Sequence, residues 1–245
     1  MSLRVATINI EGGKNLERVA RFVEEQQPDV VCMQEAYEAD LEWFREHLQM
    51  PHSTFAGNGD FQFEVGFLEV RGLWGNAIFS RLPFLKTEVF TYSGPENTIP
   101  VMQVQKPNSG RRTVQVVEVE QEGKKYRIAN THLTWTPNGS VTEEQLAAAR
   151  NMLQHLKKYE ALILVGDFNA PRGKETFQLL ADTYTDNIPP EATSSLDPEL
   201  HRAGPLPYMV DGVFTTSGYR VEHISLHTGI SDHQGIVADI LVTSG

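Results

Sequence analysis

Short runs of apolar and β-branched residues recur from one end of the chain to the other, with polar turns between them. Runs of this length and composition are typical of strands that are buried on at least one face. Ten strands are predicted: residues 4–10, 29–33, 63–70, 76–80, 113–119, 126–132, 161–167, 210–215, 220–225 and 235–241.

Helical patterns are fewer. Residues 142–156 repeat Leu and Ala at helical spacing behind Thr142, a residue that can cap a helix. Further helices are predicted at residues 15–26, 41–48 and 175–181. Because strands outnumber helices and both are interspersed, the pattern predicts an α/β layered protein with mixed sheets in one domain, residues 1–245.

Residues 186–207 differ from the rest of the chain. They are rich in Pro, Ser and acidic residues and have no clear periodicity. We interpret them as a long surface loop within the domain, because chemically suggestive residues lie on both sides.

Composition narrows the class of protein. A formal net charge of −11 argues against a large basic surface that grips nucleic acid, although nucleic acid stays possible. The single cysteine, Cys32, excludes an internal disulfide and is predicted to be a buried, inert thiol. The chain has no apolar stretch near the roughly 20 residues that span a bilayer, and its first residues lack a signal-peptide pattern. We expect a cytoplasmic monomer.

Polar groups that could bind a cation or move a proton follow the ends of several predicted strands. The buried run 162–165 leads into Gly166-Asp167-Phe168-Asn169, which a simple turn explains equally well. Each of the other polar strand ends also has an ordinary explanation as a solvated terminus. The whole series of polar strand ends is harder to explain as solvated termini, because sheet enzymes place their sites where strands end. The series comprises Asn9, Glu35, His132, Asp167 with Asn169, Asp211, and Asp232 with His233.

The order of these motifs closely resembles the endonuclease/exonuclease/phosphatase superfamily, which includes DNase I-like nucleases. The resemblance runs from residue 4 to about residue 241. It rests on the ordered series Asn9-Ile10-Glu11-Gly12, Gln34-Glu35, Gly75 to Arg81, Thr131-His132-Leu133, Gly166 to Asn169, Val210 to Phe214 and Ser231-Asp232-His233. It implies a DNase I-like, four-layer αββα sandwich: two packed mixed sheets flanked by helices, with the site at one edge.

The resemblance also implies a metal site. Glu35 would be the principal ligand of Mg²⁺, for which Mn²⁺ could substitute, and Asn9, Glu11 and Asp232 would lie close by. Hard oxygen ligands of this kind suit Mg²⁺. A zinc site is disfavoured, because there is one cysteine and no paired-histidine motif at ligand spacing on a helix.

The catalytic roles follow from the same resemblance. His233, oriented by Asp211, would be the general base that activates water or the group that polarises the phosphate. Asp167 and Asn169 would position the water and the phosphate. His132 would stabilise the phosphate or protonate the leaving oxygen.

Two further residues would contact the phosphate. Arg112 resembles a phosphate-contacting arginine of some family members, although either it or the adjacent Arg111 could face solvent. Asn76 fits a cleft residue and a structural amide equally well.

The expected activity is therefore Mg²⁺-dependent hydrolysis of a phosphate ester, with a phosphodiester favoured. Two alternatives remain: a small-molecule or lipid phosphatase or phospholipase of the same fold, and a catalytically silent binding module. The silent module is disfavoured, because competent residues occupy every catalytic position that can be aligned. Fold analogy alone does not choose the substrate.

Overall fold

The apolar runs form two β-sheets that pack against each other, each with six strands among the described residues. The computed structural model describes residues 2–62, 72–103 and 105–243. The first sheet contains β1 (Leu3–Asn9), β2 (Val30–Tyr37), β3 (His52–Phe61), β4 (Gly72–Ser80), β11 (Tyr219–His227) and β12 (Gly235–Val242). The second contains β5 (Phe84–Ser93), β6 (Arg112–Gln121), β7 (Lys124–His132), β8 (Ile163–Asp167), β9 (Thr185–Asp186) and β10 (Asp211–Thr215).

Both sheets are mixed. The strand orders are β11-β12-β1-β2-β4-β3 and β5-β6-β7-β8-β10-β9. Only β1–β2 and β7–β8 are parallel among these ladders, one pair near the centre of each sheet. The central strands are buried on both faces, which explains why their sequences are continuous apolar runs without alternation.

Four α-helices of the described residues cover the outer faces. α1 (Leu16–Gln26) and α2 (Leu41–Leu48) pack on the first sheet. α3 (Glu143–Leu156) and α4 (Glu175–Ala181) pack on the second. Short 3₁₀ helices lie at Gly12–Lys14, Glu38–Asp40 and Pro137–Gly139. The layers are helix, sheet, sheet and helix, so the predicted four-layer sandwich is confirmed.

The predicted helices agree with the structure better than the predicted strands do. All four helices are confirmed, and Thr142 caps α3 by accepting a hydrogen bond from Gln145 N. The strands β3 and β5 were missed, and the strand predicted at residues 63–70 lies outside the described residues. β3 contains two glycines and an asparagine in its second half, and β5 is a partly exposed edge strand with charged residues. Neither has the apolar run that marks a buried strand.

The prediction of a surface loop at residues 186–207 is wrong in part. The segment begins at the end of β9, and Ser195, Leu196 and Asp197 within it are buried. Cys32 is buried as expected. Within the described residues, no helix combines the length and the apolar character that a membrane crossing requires.

Candidate active site

The sandwich brings the polar strand ends of both sheets to one edge. In the first sheet, the carboxyl end of β1 carries Asn9, and the start of β12, just after His233, pairs with the same end of β1. In the second sheet, His132 at the end of parallel strand β7 is in register with Asp167 at the end of β8. Asp167 is also in register with Asp211, where antiparallel β10 begins. The topology therefore assembles these five residues from distant parts of the sequence.

Asp167 lies at the centre of the group and is 1% exposed. Its Oδ2 accepts a hydrogen bond from Asn9 Nδ2 at 3.1 Å, and lies 3.4 Å from His132 Nε2 and 3.8 Å from His233 Nε2. Burial, with the neighbouring charge of Asp211, raises the pKa of Asp167 to about 6. A carboxylate with a pKa in this range can exchange a proton near neutral pH.

Gly166 makes the position of Asp167 possible. Its φ is +142°, and a Cβ there would lie 2.0 Å from the backbone oxygen of Thr131. Only glycine allows β8 to approach β7 this closely at its last residue but one. The glycine of the Gly-Asp-x-Asn sequence thus sets where the carboxylate sits.

His233 and Asp211 form a buried pair. His233 Nδ1 donates to Asp211 Oδ2 at 2.8 Å, which leaves Nε2 as the ring nitrogen that faces Asp167. Burial disfavours the charged imidazolium, but the carboxylates of Asp211 and Asp167 outweigh it. The pKa of His233 is therefore raised well above its ordinary value, which favours the positively charged ring.

His132 has the opposite electrostatics. Burial, together with the positive charges of Arg112 and His233, holds its pKa well below the ordinary value. Its Nδ1 is buried and has no hydrogen-bond partner among the described residues. The ring of Trp74 packs edge-on against it, with centroids 5.6 Å apart. The lowered pKa favours a neutral imidazole, whose Nδ1 is open to a ligand as far as the described residues show.

Glu35 sits in a distortion of β2. The register of β2 against β4 shifts between Met33 and Ala36, and Glu35 has a φ of +61°. Bulges of this kind redirect a side chain next to active sites. The Glu35 Oε1 atom lies 3.9 Å from His132 Nε2. Burial, with the charges of Asp232 and Asp167, raises the pKa of Glu35 to about 7.

The other expected metal ligands differ in how closely they are connected to Glu35. Asn9 also hydrogen bonds to Glu35, so it links this carboxylate to Asp167. Asp232 accepts a hydrogen bond from Ser231 Oγ at 3.0 Å. Glu11 is more peripheral, because its carboxylate contacts Lys14 and Asn15 and would have to leave them to reach a cation.

Asn169 forms a turn and also bonds residues of the site. Its φ is +49°, and its backbone N–H donates to Asp167 Oδ1 at 2.8 Å. Its side-chain Nδ2 donates to the Leu133 carbonyl at 3.1 Å, one residue after His132. The sequence Gly166-Asp167-Phe168-Asn169 is therefore both a turn and part of the site, because the turn holds the Asp167 carboxylate.

Arg112 and Asn76 lie beside this group. Arg112 is 4% exposed and its guanidinium lies 5.9 Å from the centroid of the Trp74 ring. Its Nη2 donates to Asn108, whereas its buried Nε and Nη1 have no partner within the described part of the chain. Asn76 is fully buried and donates to the Thr113 carbonyl at 3.2 Å, while its Oδ1 is unpartnered among the described atoms. Arg111 is partly buried and bonds backbone carbonyls, including Gly57 O at 2.8 Å.

Sequence reasoning missed several residues that hold the site. Tyr92 donates to the backbone oxygen of His132 at 3.1 Å, and Gln145 donates to Thr134 and Asn169 carbonyls. Asn108 binds Arg112 and both backbone polar groups of Trp135. Their sequence neighbourhoods carry no motif, so only the tertiary contacts identify them.

The acidic groups suit a hard divalent cation. Burial and, after it, the negative charges of Asp232 and Asp167 raise the pKa of Glu35 to about 7, and a cation would relieve the repulsion among these carboxylates. A second grouping, Asp167, Asp211 and His233, has ligand atoms within 4.8 Å of one another. In this grouping Nδ1 of His233 is already engaged in the hydrogen bond to Asp211.

Comparison with known proteins agrees with this geometry. A profile of the Endonuclease/Exonuclease/phosphatase family matches residues 6–233. A search of curated proteins returned no match. Among solved structures, an endonuclease/exonuclease/phosphatase from Beutenbergia cavernae DSM 12333 superposes with a TM-score of 0.74 at 19% identity, covering 98% of this chain and 72% of that one.

Two other solved structures have more specific names. The mannosyl-6-phosphatase of Bacteroides thetaiotaomicron VPI-5482 superposes with a TM-score of 0.73 at 16% identity, covering 98% of this chain and 100% of the other. The human Nocturnin catalytic domain with bound sulfate gives 0.72 at 19% identity, covering 99% and 94%. These likenesses show a shared fold. With the profile match over nearly its whole length, the chain belongs to the Endonuclease/Exonuclease/phosphatase family, whose members are hydrolases acting on phosphate esters.

Proposed function

We propose that this protein is a Mg²⁺-dependent phosphoesterase that hydrolyses a phosphodiester by attack of water. One observation carries the proposal: Asp167, which titrates near neutral pH, faces the charged His233 at 3.8 Å and lies among the carboxylates around Glu35. The site thus places three groups close together: a proton acceptor, a positively charged hydrogen-bond donor and carboxylates that can hold a cation. These are the three groups that phosphoester hydrolysis requires.

The electrostatics favour Asp167 as the proton acceptor. A charged His233 has no free lone pair to take a proton from water, whereas its Nε2–H can donate to a phosphate oxygen. Of the two roles expected for His233, base and phosphate polariser, its raised pKa supports the second. Asp211 keeps the ring charged and oriented through Nδ1. Asp167 accepts the proton of the attacking water, and Asn9 and Asn169 hold its two oxygens.

His132 and Arg112 bind the phosphate. A neutral His132 is a poor proton donor to a leaving oxygen, so its lowered pKa favours hydrogen bonding to the phosphate. The charged His233 is then the proton source for the leaving oxygen. Two guanidinium nitrogens of Arg112, Nε and Nη1, are unpartnered among the described residues, and guanidinium N–H groups bind phosphate oxygens strongly. Asn76 is better explained as an amide that holds β4 to Thr113.

Mg²⁺ would be held by Glu35, with Asn9 and Asp232 close by and Glu11 at the margin. When bound, it supplies positive charge that lowers the barrier for attack on an anionic ester. Mn²⁺ should substitute, because it accepts the same oxygen ligands.

A monoester phosphatase is the second candidate. The buried, partly unpartnered Arg112 favours it, because a monoester carries an additional charged oxygen that such an arginine can pair. One structural neighbour is named a mannosyl-6-phosphatase, which is consistent with this candidate. The negative net charge argues mildly against tight binding to duplex DNA.

A substrate panel with Mg²⁺ tests these proposals. It compares single- and double-stranded DNA, RNA, a 5′-phosphotyrosyl oligonucleotide, sphingomyelin, inositol phosphates, sugar phosphates and an aryl phosphate diester. Hydrolysis of diesters with little release of phosphate from monoesters supports the first candidate. Release from monoesters alone supports the second, and cleavage of lipid without any nucleic acid contradicts a nuclease.

We further propose that the chain is a single domain that acts as a cytoplasmic monomer. Size-exclusion chromatography with light scattering should then give the chain mass of 27.5 kDa. A stable dimer would contradict this part of the proposal.

A further inference from the structure

The segment between β9 and β10 contains a buried serine where the two sheets meet. Ser195 is 0% exposed, Leu196 7% and Asp197 1%, although the surrounding sequence is polar and lacks periodicity. A hydroxyl that is fully removed from water requires hydrogen-bond partners. The partners of Ser195 are at the active site.

Ser195 holds the beginning of β10. Its Oγ accepts hydrogen bonds from the backbone N–H groups of Val210 and Asp211, both at 3.0 Å. On that side of β10 the neighbouring strand β9 pairs only with Phe214 and Thr215. Ser195 therefore takes the place of a strand at the residue that carries the catalytic carboxylate.

The same segment also holds the approach to β12 in the other sheet. Gln234 N donates to Ser195 O at 2.7 Å, and Asp197 N donates to Asp232 O at 2.8 Å. Leu196 and His233 form an isolated antiparallel bridge. The Gln234 side chain adds two hydrogen bonds, from Nε2 to the carbonyls of Ser194 and Leu196, each at 3.1 Å.

Asp211 and His233 thus come from different sheets, and their 2.8 Å bond crosses between them. Residues 195–197, the 195–197 brace, bond the backbone on both sides of that crossing. We propose that the brace sets the distance between Asp211 and His233, and that Ser195 is its main positioning residue. This role rests on the proposed function, in which His233 Nε2 must point at the phosphate.

The test compares Ser195→Ala with Ser194→Ala. The Ser194 hydroxyl accepts a hydrogen bond from Leu196 N and donates to the carbonyls of Leu196 and Tyr208, so the control removes a hydroxyl that bonds the same segment but does not bond Val210 or Asp211. For Ser195→Ala we expect kcat to fall about tenfold with KM within twofold, because small displacements of a catalytic group lower the rate but not substrate binding. Ser194→Ala should stay within twofold of the parent in both.

A second readout does not depend on turnover. In protein labelled with ¹⁵N-histidine, the Nδ1–H proton of His233 should shift or broaden in Ser195→Ala and stay in place in Ser194→Ala. A shifted signal in a protein that hydrolyses nothing in the panel would keep the brace and overturn the proposed function. An unchanged signal and kcat in folded Ser195→Ala would overturn the brace, as would equal losses in both variants.

Gln234→Leu provides an independent variant if Ser195→Ala does not fold. It removes the two amide hydrogen bonds to the segment and keeps a similar side-chain volume. A fall in kcat of severalfold with a shifted His233 signal is expected. Parent values for both in the folded variant would refute the brace.

Discussion

Replacing Asp211 by Asn separates the two roles that His233 could have. The Nδ1–Oδ2 distance is 2.8 Å and both side chains are buried, so the variant loses one charge-assisted hydrogen bond. Such bonds contribute about 1.5–3 kcal/mol. At about 1.4 kcal/mol for each factor of ten in rate, kcat should fall roughly 10- to 100-fold.

The pH profile of kcat/KM distinguishes the roles more sharply than the rate. If Asp167 is the base and His233 the charged donor, activity rises as Asp167 loses its proton and falls as His233 loses its own. Losing the Asp211 charge lowers the pKa of His233. The alkaline limb of the profile should therefore move to lower pH in Asp211→Asn.

The matched control is Asp239→Asn, which changes a carboxylate of β12 that pairs with Arg4 outside the site. It should leave kcat and both limbs unchanged. In Asp211→Asn the acid limb should also move to lower pH, because the charge of Asp211 raises the pKa of Asp167 as well. An alkaline limb that stays fixed in Asp211→Asn would refute the role of His233 as the charged donor.

Three further outcomes are expected. Without metal, the free energy of unfolding should fall as pH rises from about 4.5 to 7, because folded Glu35 retains a proton that the unfolded chain has released. Because the Glu35 side chain is 27% exposed, the loss of unfolding free energy should be about 1–2 kcal/mol. Denaturant titrations at each pH measure this loss, and saturating Mg²⁺ should reverse it. An unfolding free energy that does not change with pH would contradict the raised pKa of Glu35. Arg112→Met should raise KM for the substrate roughly tenfold or more, because one charged phosphate contact is lost, while an unchanged KM would exclude that contact. Trp135→Ala should raise KM for aryl esters more than for alkyl esters, because the indole is 39% exposed and an exposed ring can stack on an aryl group; equal effects on both ester types would exclude stacking.

Much of the architecture follows from the order of apolar runs. Central strands such as β1, β2 and β8 were predictable because both of their faces are buried, which requires continuous apolar sequence. β3 and β5 were not, because edge strands carry fewer buried side chains and their pairing depends on neighbours.

The site was predictable as a set of residues but not as an electrostatic arrangement. The strand ends indicate that Glu35, Asp167 and His233 meet, whereas the bulge at Glu35 and the opposite pKa shifts of the two histidines depend on the folded environment. The proposed positioning role of Ser195 is the clearest example of a feature that the sequence does not predict. Its function arises from two backbone contacts to Val210 and Asp211 that no local pattern encodes.

Glu35→Gln tests the central claim most directly, through Mg²⁺-dependent hydrolysis of an aryl phosphate diester. Glu118→Gln is the control, because Glu118 pairs with Arg127 away from the site. The parent and the control should hydrolyse the diester with Mg²⁺ or Mn²⁺ and lose activity in EDTA, and Glu35→Gln should lose at least 100-fold, roughly the share of the rate that one metal ligand supports. Metal-independent hydrolysis, or equal activity in Glu35→Gln and the parent, would contradict the claim.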